Sequence, residues 1–362
     1  MKSRSTIFAA ALLICGSLAA SAAPPNARHG RPIAIKPVEE RIPGPAKPKI
    51  PGKDGPAHVG EAVTISAETG PLKLTVDRLE LQGDRFRIGD TDSEIPSGTE
   101  KLLIIHYTLV NPNSTEVSIS GKTVRFTALD AERKPHADIA DAITEGDTDI
   151  FDGPVKAGEK VSLVKVVHVP SRGPIAALLA TPGPAGTTEM HVDVSGHVEK
   201  LAAPYVDPQD ANGFTALPTV AAKIGTTYQV GDCDLTMTDA DYSTDPLLNF
   251  TGEAAPDSEH LYAVFTFEVT CQKQSGVSFG FDDFNPSLNT IDGLQIDPAN
   301  APLLNGKLNL AFESDLQYND DRHFRVYFII SKHDGMVSLT ISAGNGARKF
   351  IYDVSDIPKP AE

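Results

Sequence analysis

Four short apolar segments in the first half of the chain recur about 160 residues later, in the same order. The matched ranges are 70–76 with 231–237, 103–110 with 263–270, 126–130 with 288–292, and 167–178 with 328–339. Chance rarely preserves both order and spacing over four matches. The repeat therefore predicts two related domains, each near the size of one β-sandwich core.

The repeated segments alternate apolar and polar residues with a period of two, which is the period of a β-strand that buries one face. Leu103, Ile105 and Tyr107 share one face of such a strand, as Phe265 and Phe267 do in the second half. Glycine, proline, asparagine and aspartate separate the strands, and convincing amphipathic helices are absent. We therefore predict an all-β fold of two tandem immunoglobulin-like domains, each an antiparallel β-sandwich.

The first 22 residues have the layout of a signal peptide. Lys2 and Arg4 form a basic start, the apolar stretch 7–14 is too short to span a bilayer, and 20–22 (Ala-Ser-Ala) supplies small residues for cleavage. Cleavage is expected near Ala22. The mature protein is then exported, and is periplasmic or extracellular.

Changes in composition set the remaining boundaries. Residues 23–56 are rich in proline with lysine and arginine between them, which predicts an extended, disordered linker. Residues 57–200 and 219–356 carry the two alternating patterns and are the predicted sandwiches. Proline, glycine and aspartate within 201–218 mark a second linker.

The charge of the chain limits its partners. The formal net charge is −16, and it becomes −18 when cleavage removes Lys2 and Arg4. An acidic surface repels nucleic acid and anionic membranes, so neither is an expected partner. No segment after the signal peptide is long and apolar enough for a membrane helix, so no membrane span is expected.

Cys233 and Cys271 are the cysteines that remain after cleavage. They lie on the apolar faces of consecutive strands, and an antiparallel connection centred near residue 252 sets them opposite each other. Opposed residues have Cα atoms about 4.5–5.5 Å apart, which is within disulfide range. We predict a disulfide, because an oxidising compartment favours it; the alternative is two buried thiols.

A loop pattern around the central strands of the first half is typical of one family. It consists of 110–113 (Val-Asn-Pro-Asn), 157–161 (Ala-Gly-Glu-Lys-Val) and 169–170 (Val-Pro). The pattern resembles the telokin-like, immunoglobulin-type domains of bacterial secreted proteins and lipoproteins, a family of unknown function. The resemblance covers roughly 57–195 and 219–354. It implies the sandwich fold and no catalytic residue.

Two near-identical acidic loops, Gly-Asp-Thr-Asp at 89–92 and at 146–149, suggest a cation site. Counting strand reversals puts both loops at the same end of the first sandwich. Calcium takes six to eight oxygen ligands, and clustered carboxylates repel each other unless a cation neutralises them. The alternative is that these aspartates serve turns. The candidate calcium ligands are Asp90, Asp92, Glu94, Asp147, Asp149 and Asp152.

The segment 276–280 matches the nucleophile-elbow pattern G-x-S-x-G, and Asp292 and His323 follow in hydrolase order. That chemistry requires Ser278 on a turn from a strand into a helix. Strands are predicted on both sides, and the counterpart Ser118 lacks the flanking glycines. We therefore interpret Ser278 as a strand residue. The chain is predicted to be no enzyme, with no catalytic residue and no cofactor other than calcium.

The resulting hypothesis is an exported, non-catalytic binding or structural module that acts in the cell envelope or outside the cell. Its expected partner is a protein or a glycan of the envelope, met through loops or an exposed strand edge. One alternative is a calcium-stabilised adhesion-type module. The other is a secreted protease inhibitor that presents the long segment 130–159.

Overall fold

The computed structural model describes residues 55–360, except for the gaps 69, 89–91, 140, 148, 184–188, 250–251, 274–275, 280–283, 299–302, 305–313 and 345. These residues belong to one compact unit, Ile50–Glu362. They form β-strands and no helix, which confirms the predicted all-β fold. The predicted signal peptide, 1–22, and nearly all of the predicted linker, 23–56, lie outside the described residues. A helix capable of spanning a membrane does not occur in the described part of the chain.

The first sandwich is built from fifteen of the described strands. They are β1 (Ala57–His58), β2 (Ala62–Ala67), β3 (Gly70–Gln82), β4 (Phe86–Ile88), β5 (Asp92–Glu94), β6 (Glu100–Val110), β7 (Val117–Ile119), β8 (Val124–Leu129), β9 (Pro135–Ala137), β10 (Ile143–Thr144), β11 (Gly153–Val155), β12 (Lys160–Pro170), β13 (Ala177–Pro182), β14 (Met190–Asp193) and β15 (Val198–Glu199).

Two sheets face each other in this sandwich. One has the order β1-β14-β13-β8-β9, and the other has the order β10-β12-β6-β3, with β2 and β15 sharing the outer edge of β3. Neighbouring strands are antiparallel except that β1 and β15 run parallel to their partners. Small additional ladders join β4 to β5 and β7 to β11.

The second sandwich is built from the remaining fourteen described strands. They are β16 (Thr219–Ala222), β17 (Thr227–Val230), β18 (Cys233–Ser243), β19 (Leu247–Asn249), β20 (Gly252–Ala254), β21 (His260–Cys271), β22 (Val277–Phe279), β23 (Ser287–Thr290), β24 (Gln295–Ile296), β25 (Leu303–Leu304), β26 (Ser314–Leu316), β27 (Asp321–Ser331), β28 (Met336–Ser342) and β29 (Lys349–Asp353).

The second sandwich has the same strand order as the first. Its sheets run β16-β29-β28-β23-β24 and β17-β18-β21-β27-β25. Even a register shift is shared, since β3 slips between Val76 and Arg78 and β18 slips between Met237 and Asp239. β18 is therefore the counterpart of β3, β21 that of β6, and β27 that of β12.

The alternating pattern fills the space between the sheets. Leu103, Ile105 and Leu178 are fully buried, and the rings of Tyr107 and Phe126 meet edge to face with centroids 5.0 Å apart. Full burial of one large apolar side chain contributes about 1.5–3 kcal/mol. The period-two faces thus supply the main driving force for pairing the sheets.

Part of β6 is buried on both faces, because the β4–β5 hairpin covers the outer side of its sheet. This second, smaller core contains Ile88, Leu102, Ile104, Ile143, Val164 and Val166, with Phe86 packed against it. The hairpin is therefore held against the sheet. It holds the described residues of 83–88 and 92–100, which we call the junction segment, at one end of the first sandwich.

Candidate functional site at the sandwich junction

The junction segment contacts two turns of the second sandwich. One is the turn between β17 and β18, around Gly231, and the other is the turn between β28 and β29, around Gly346. Both turns lie at the end of the second sandwich where β18 begins. The sandwiches are therefore joined end to end, with the β3–β6 connection of the first docked on the opposite end of the second.

Arg85 provides the main polar contact. Its backbone N–H donates to Gln229 Oε1 (2.9 Å), and its Nη1 donates to the carbonyl of Gly231 (3.0 Å). Its Nη2 lies 2.7 Å from Asp234 Oδ1, in an ion pair whose side chains are 8% and 27% exposed. Because water is partly excluded, we expect this pair to exceed the ~0.2–1 kcal/mol of a fully exposed pair.

Two further contacts extend the junction. Arg87 Nη1 donates to the hydroxyl of Tyr318 (2.8 Å), and its guanidinium carbon lies 5.0 Å from the centre of that ring, a cation–π geometry. The N–H of Gly98 donates to the carbonyl of Gly346 (2.8 Å). The contact surface thus combines charge, aromatic and backbone interactions.

The linker between the sandwiches is built into the junction through Tyr205. A Cβ placed on Gly83 would lie 2.4 Å from Cβ of Tyr205, so this close approach requires glycine. Tyr205 also belongs to the core of the second sandwich, and burial raises the pKa of its hydroxyl. The tyrosine therefore contacts both sandwiches at once.

A buried lysine fastens the other part of the linker. Lys101 is 0% exposed, and its Nζ donates to the carbonyls of Gly173 (2.7 Å) and of Phe214. Burial lowers the pKa of this lysine to about 8. The carbonyls compensate for the lost hydration of the cation, so Lys101 joins β6 to the linker.

Arg348, just before β29, is the buried cation at the centre of the junction. It is 5% exposed, its Nη1 donates to the carbonyl of Leu217 (2.8 Å), and its Nη2 donates to that of Glu100 (3.0 Å). Its guanidinium carbon lies 5.4 Å from the centre of the Tyr205 ring. Burial lowers the pKa of Arg348. No described residue accepts a hydrogen bond from its Nε.

These residues surround a cavity of 130 Å³, which we call the junction cavity. The polar side chains that line it are Asp84, Arg85, Tyr205, Gln229 and Arg348, and Phe350 and Val230 supply apolar surface. A concave site with a few convergent polar groups between two domains is a common setting for small ligands. Its chemistry suits recognition of a small polar molecule.

Of the six predicted calcium ligands, the structure describes the side chains of Glu94, Asp147, Asp149 and Asp152, and it places Glu94 apart from the other three. Glu94 lies at the junction end, with its Oε2 3.3 Å from Nε2 of His168. The loop of Asp147 and Asp149 follows Glu145, whose N–H donates to the carbonyl of Ser162. Along β12, His168 and Ser162 are about 20 Å apart. Glu94 and the loop of Asp147 and Asp149 are therefore at different ends of the sandwich, contrary to the common end expected for them.

The physical reason is an additional reversal of the chain. After β9 the chain reaches the edge of β12, where Asp138 forms a bridge with Val167 and Ile143 pairs with Val164, before the second acidic loop. Asp147, Asp149 and Asp152 are exposed. Asp90 and the side chain of Asp92 lie outside what the structure describes. Within the described residues, no three His, Cys, Asp or Glu side chains are placed to hold a metal.

Glu94 instead participates in a histidine–carboxylate cluster. His168 lies between Glu94 and Glu100, with each of its ring nitrogens 3.3 Å from a carboxylate oxygen. The pKa of His168 is raised, chiefly because the neighbouring Glu94 carboxylate stabilises the protonated ring, while burial opposes this. The ring of His168 thus links the β4–β5 hairpin to β12.

The register predicted for the cysteines is confirmed, because Cys233 lies directly opposite Cys271. The N–H of Cys271 donates to the backbone carbonyl of Asp320 (3.3 Å), and its carbonyl accepts from the backbone N–H of Asn319 (2.9 Å), so both groups are directed toward β27. Cys233 and Cys271 therefore form a non-hydrogen-bonded pair, whose Cα atoms are about 4.5 Å apart in such ladders. Both side chains are buried. The disulfide itself stays a prediction.

Two other sequence hypotheses acquire a structural setting. Ser278 lies in β22, which pairs with β26, as its interpretation as a strand residue requires. The segment 130–159 is folded onto the first sandwich through β9, β10 and β11. Its Asp138 makes a buried ion pair with Lys165 (2.5 Å), so much of this predicted inhibitory loop is held against the body of the domain.

Sequence reasoning missed Arg85, Tyr205 and Arg348. Each lies in a turn or linker whose residue pattern is that of ordinary surface loops, so no local signal marks them. The sequence signal for this contact was the segment 83–87 (Gly-Asp-Arg-Phe-Arg), which places two arginines close together in an acidic chain. That combination is too common to indicate a domain contact.

No protein-family model matches the chain, and no curated protein sequence matches it. Among solved structures, the chain is similar to an uncharacterized β-sandwich protein from Clostridium difficile, with 12% identity and a TM-score of 0.29. That match covers 38% of this chain and 95% of the other.

Proposed function

We propose that this chain is an exported, non-catalytic binding module of the cell envelope, which meets a protein partner through the outer end of its second sandwich. The observation that carries the proposal is the turn between β23 and β24, which we call the outer turn. Its Ile291 and Leu294 are 71% and 58% exposed. They are the two most exposed of the large apolar side chains in the described residues.

The equivalent turn of the first sandwich has the opposite character. Between β8 and β9 it carries Glu132, Arg133 and Lys134, and Lys134 pairs with Glu132 at 2.6 Å. The same turn is thus charged in one sandwich and apolar in the other. Exposed apolar residues on loops of a rigid scaffold are typical of binding surfaces.

The outer turn is directed away from the junction. Thr290, at its start, pairs with Met336 at the beginning of β28, whereas Ser342, at the far end of β28, leads into the junction turn. The two ends of β28 are about 20 Å apart. A partner bound to the outer turn would therefore lie about 20 Å from the junction and would not disturb its contacts.

Other features of the sequence support export and the domain family. The signal-peptide layout of residues 1–22, the order-preserving repeat and the opposed Cys233 and Cys271 all suit a secreted chain with a disulfide. The loop pattern at 110–113 and 157–161 favours telokin-like, immunoglobulin-type domains. A protein suits exposed isoleucine and leucine better than a glycan does, because apolar side chains gain most from burial against other apolar groups.

Affinity capture from the organism's own cell envelope tests this function. The tagged mature protein is compared with Ile291→Ser/Leu294→Ser and with a matched control in the equivalent turn, Glu132→Ser/Lys134→Ser. We expect the wild type and the control to retain the same envelope protein and the outer-turn variant to lose it. Equal retention by all three would reject the outer turn. Absence of any envelope protein above a tag-only control would reject the binding function.

A further inference from the structure

The turn between β27 and β28, residues 332–335, corresponds to a turn of the first sandwich that its own chain covers. By the repeat, 332–335 matches 171–174, the turn between β12 and β13. There the N–H of Ala216, in the linker, donates to the carbonyl of Ser171 (2.8 Å), and Nζ of the buried Lys101 donates to that of Gly173 (2.7 Å). The first sandwich thus has an extended segment and a cation over this turn.

The second sandwich has a carboxylate at the same place and lacks the internal cation. Asp334 takes the position of Gly173, and Leu261 takes that of Lys101. The carboxyl group of Asp334 is nearly buried, since the residue is 4% exposed, and its Oδ1 accepts the N–H of Gly335 (2.8 Å). Within the described residues, no side-chain nitrogen of lysine, arginine or histidine lies within 4.0 Å of this carboxylate.

The second oxygen of Asp334 is open to a ligand. No described group donates a hydrogen bond to Oδ2, and Oδ2 is not among the buried side-chain atoms that have neither a partner nor contact with solvent. A carboxylate offers about four lone-pair sites. A nearly buried carboxylate with so few donors gains strongly from an added cation, because the surrounding protein screens the attraction less than water does.

The outer turn lies directly beside this carboxylate. The N–H of Ile291 donates to the carbonyl of Gly335 (2.9 Å), so the exposed side chains of Ile291 and Leu294 adjoin the β27–β28 turn. The nearby connection 244–259 contains no arginine or lysine. Lys359 is the cation that reaches this turn, and its Nζ donates to the carbonyl of Lys332 (3.2 Å). The complementary surface is a cationic side chain next to an apolar one.

We propose that the outer turn and the β27–β28 turn together bind an extended segment of a partner protein, in which an arginine pairs with Asp334 and a neighbouring apolar side chain packs on Ile291 and Leu294. The linker covers the equivalent surface of the first sandwich in a similar way. Arginine suits the site better than lysine does, because its planar fork donates to a carboxylate while its stem packs on apolar groups. This inference rests on the proposed function, since it specifies the partner of the same outer turn.

Nuclear magnetic resonance titration of the intact mature protein with the peptide acetyl-Leu-Arg-Leu-amide tests this chemistry. The control peptide has citrulline in place of arginine, which keeps the shape and removes the charge. We expect the arginine peptide to shift the amide signals of 291–294 and 333–335. The citrulline peptide should bind at least about tenfold more weakly, because it forms no charge-assisted pair.

Two variants assign the binding to the carboxylate and to the apolar pair. We expect Asp334→Asn to reduce the affinity for the arginine peptide at least about tenfold and to leave the citrulline peptide unaffected. Ile291→Ser/Leu294→Ser should weaken both peptides. Asp149→Asn, at an exposed aspartate of the first sandwich, is the matched control and should bind both peptides as the wild type does. If Asp334→Asn fails to fold, the comparison of the two peptides on the wild type still decides.

Two results would overturn the proposal. One is equal binding of the arginine and citrulline peptides, or no shift at 291–294 and 333–335 with either. The other is unchanged affinity of Asp334→Asn for the arginine peptide. If either result occurs while envelope capture still depends on the outer turn, the proposed function stands and this partner chemistry is wrong. If the arginine peptide binds as expected and no envelope protein is captured, the proposed function fails and the site remains.

Discussion

The two sandwiches differ in the connection that follows β3 in the first and its counterpart β18 in the second. In the first, residues 83–99 between β3 and β6 carry Arg85 and Arg87, and these two arginines bind the second sandwich. In the second, the equivalent residues 244–259 between β18 and β21 contain no arginine or lysine. A head-to-tail contact that recurred would extend into a filament. The repeat copies the strand order but not the contact surface, so this contact is specific to one pair of domains.

The two sandwiches also differ at their other ends, where β3 begins beside the end of β6 and β18 begins beside the end of β21. The second sandwich opposes Cys233 and Cys271, and in the first sandwich the equivalent positions, next to the pair of Lys73 and Val110, are Leu72 and Asn111. Asn111 is fully buried, and its side-chain amide donates to the carbonyls of Thr115 (2.9 Å) and Val155 (2.9 Å). One sandwich thus uses a polar anchor where the other has two cysteines.

The largest expected effect is that of reducing the predicted Cys233–Cys271 disulfide. Closing this loop restricts the unfolded chain by about 4 kcal/mol, so we expect reductant to lower the melting temperature of the second sandwich by about 8–16 °C. Hydrogen exchange measured segment by segment should show little change in the first sandwich. Thiol titration of the unfolded, unreduced protein checks the premise, and two titratable thiols per chain would contradict it.

Replacing the polar anchor of the first sandwich should have the next largest effect. Asn111→Ala leaves the carbonyls of Thr115 and Val155 without their donor, which we expect to cost about 3 kcal/mol. Urea denaturation measures this loss, with the exposed Asn212→Ala as control. A change within about 0.5 kcal/mol, as for a surface substitution, would show that the first sandwich does not depend on this anchor.

Gly83→Ala should weaken the junction while leaving each sandwich folded. The new Cβ would lie 2.4 Å from Cβ of Tyr205, and we expect this overpacking to cost about 2 kcal/mol. Gly153→Ala is the matched control in the same sandwich, because a Cβ there meets nothing within 4 Å. Calorimetry should show a larger difference between the melting temperatures of the two sandwiches in Gly83→Ala, and no such change in Gly153→Ala. Identical traces for both variants would rule out a tight contact at Tyr205.

The smallest expected effect is a pH dependence from His168. Because its pKa is raised in the folded state, its contribution to stability is fully present below about pH 6.5, the ordinary value, and is lost as pH rises through the folded pKa. We expect His168→Gln to lower the melting temperature by about 2–4 °C at pH 5.5 and by less at pH 9. An equal shift at both pH values would mean that packing, and not charge, explains the effect.

The fold could be predicted because the information lies in short-range patterns. Alternation at Leu103, Ile105 and Tyr107 requires a strand with one buried face, and the repeat doubles that evidence. The opposed cysteines follow from simple counting along two consecutive strands. These inferences need no knowledge of how loops are directed in space.

The junction could not be predicted, because it depends on such directions. Arg85 and Arg348 are 263 residues apart in numbering, and only the docking of two separate turns brings both to one cavity. The acidic loops show the same limit. After β9 the chain reaches the edge of β12 at Asp138, and this unforeseen reversal places Asp147 and Asp149 far from Glu94.

The parallel pairs β1–β14 and β16–β29 determine how much of the chain must be present before each sandwich can form all its strand pairs. Ala57 pairs with Val192, and Thr219 pairs with Lys349, so each sandwich closes with almost the last strand that it receives. Such distant pairing makes folding slow, because the entropy of closing a long loop is lost before the contacts form. Val192 precedes Asp234 along the chain, so all the strands that the first sandwich needs emerge before the partner of Arg85 does.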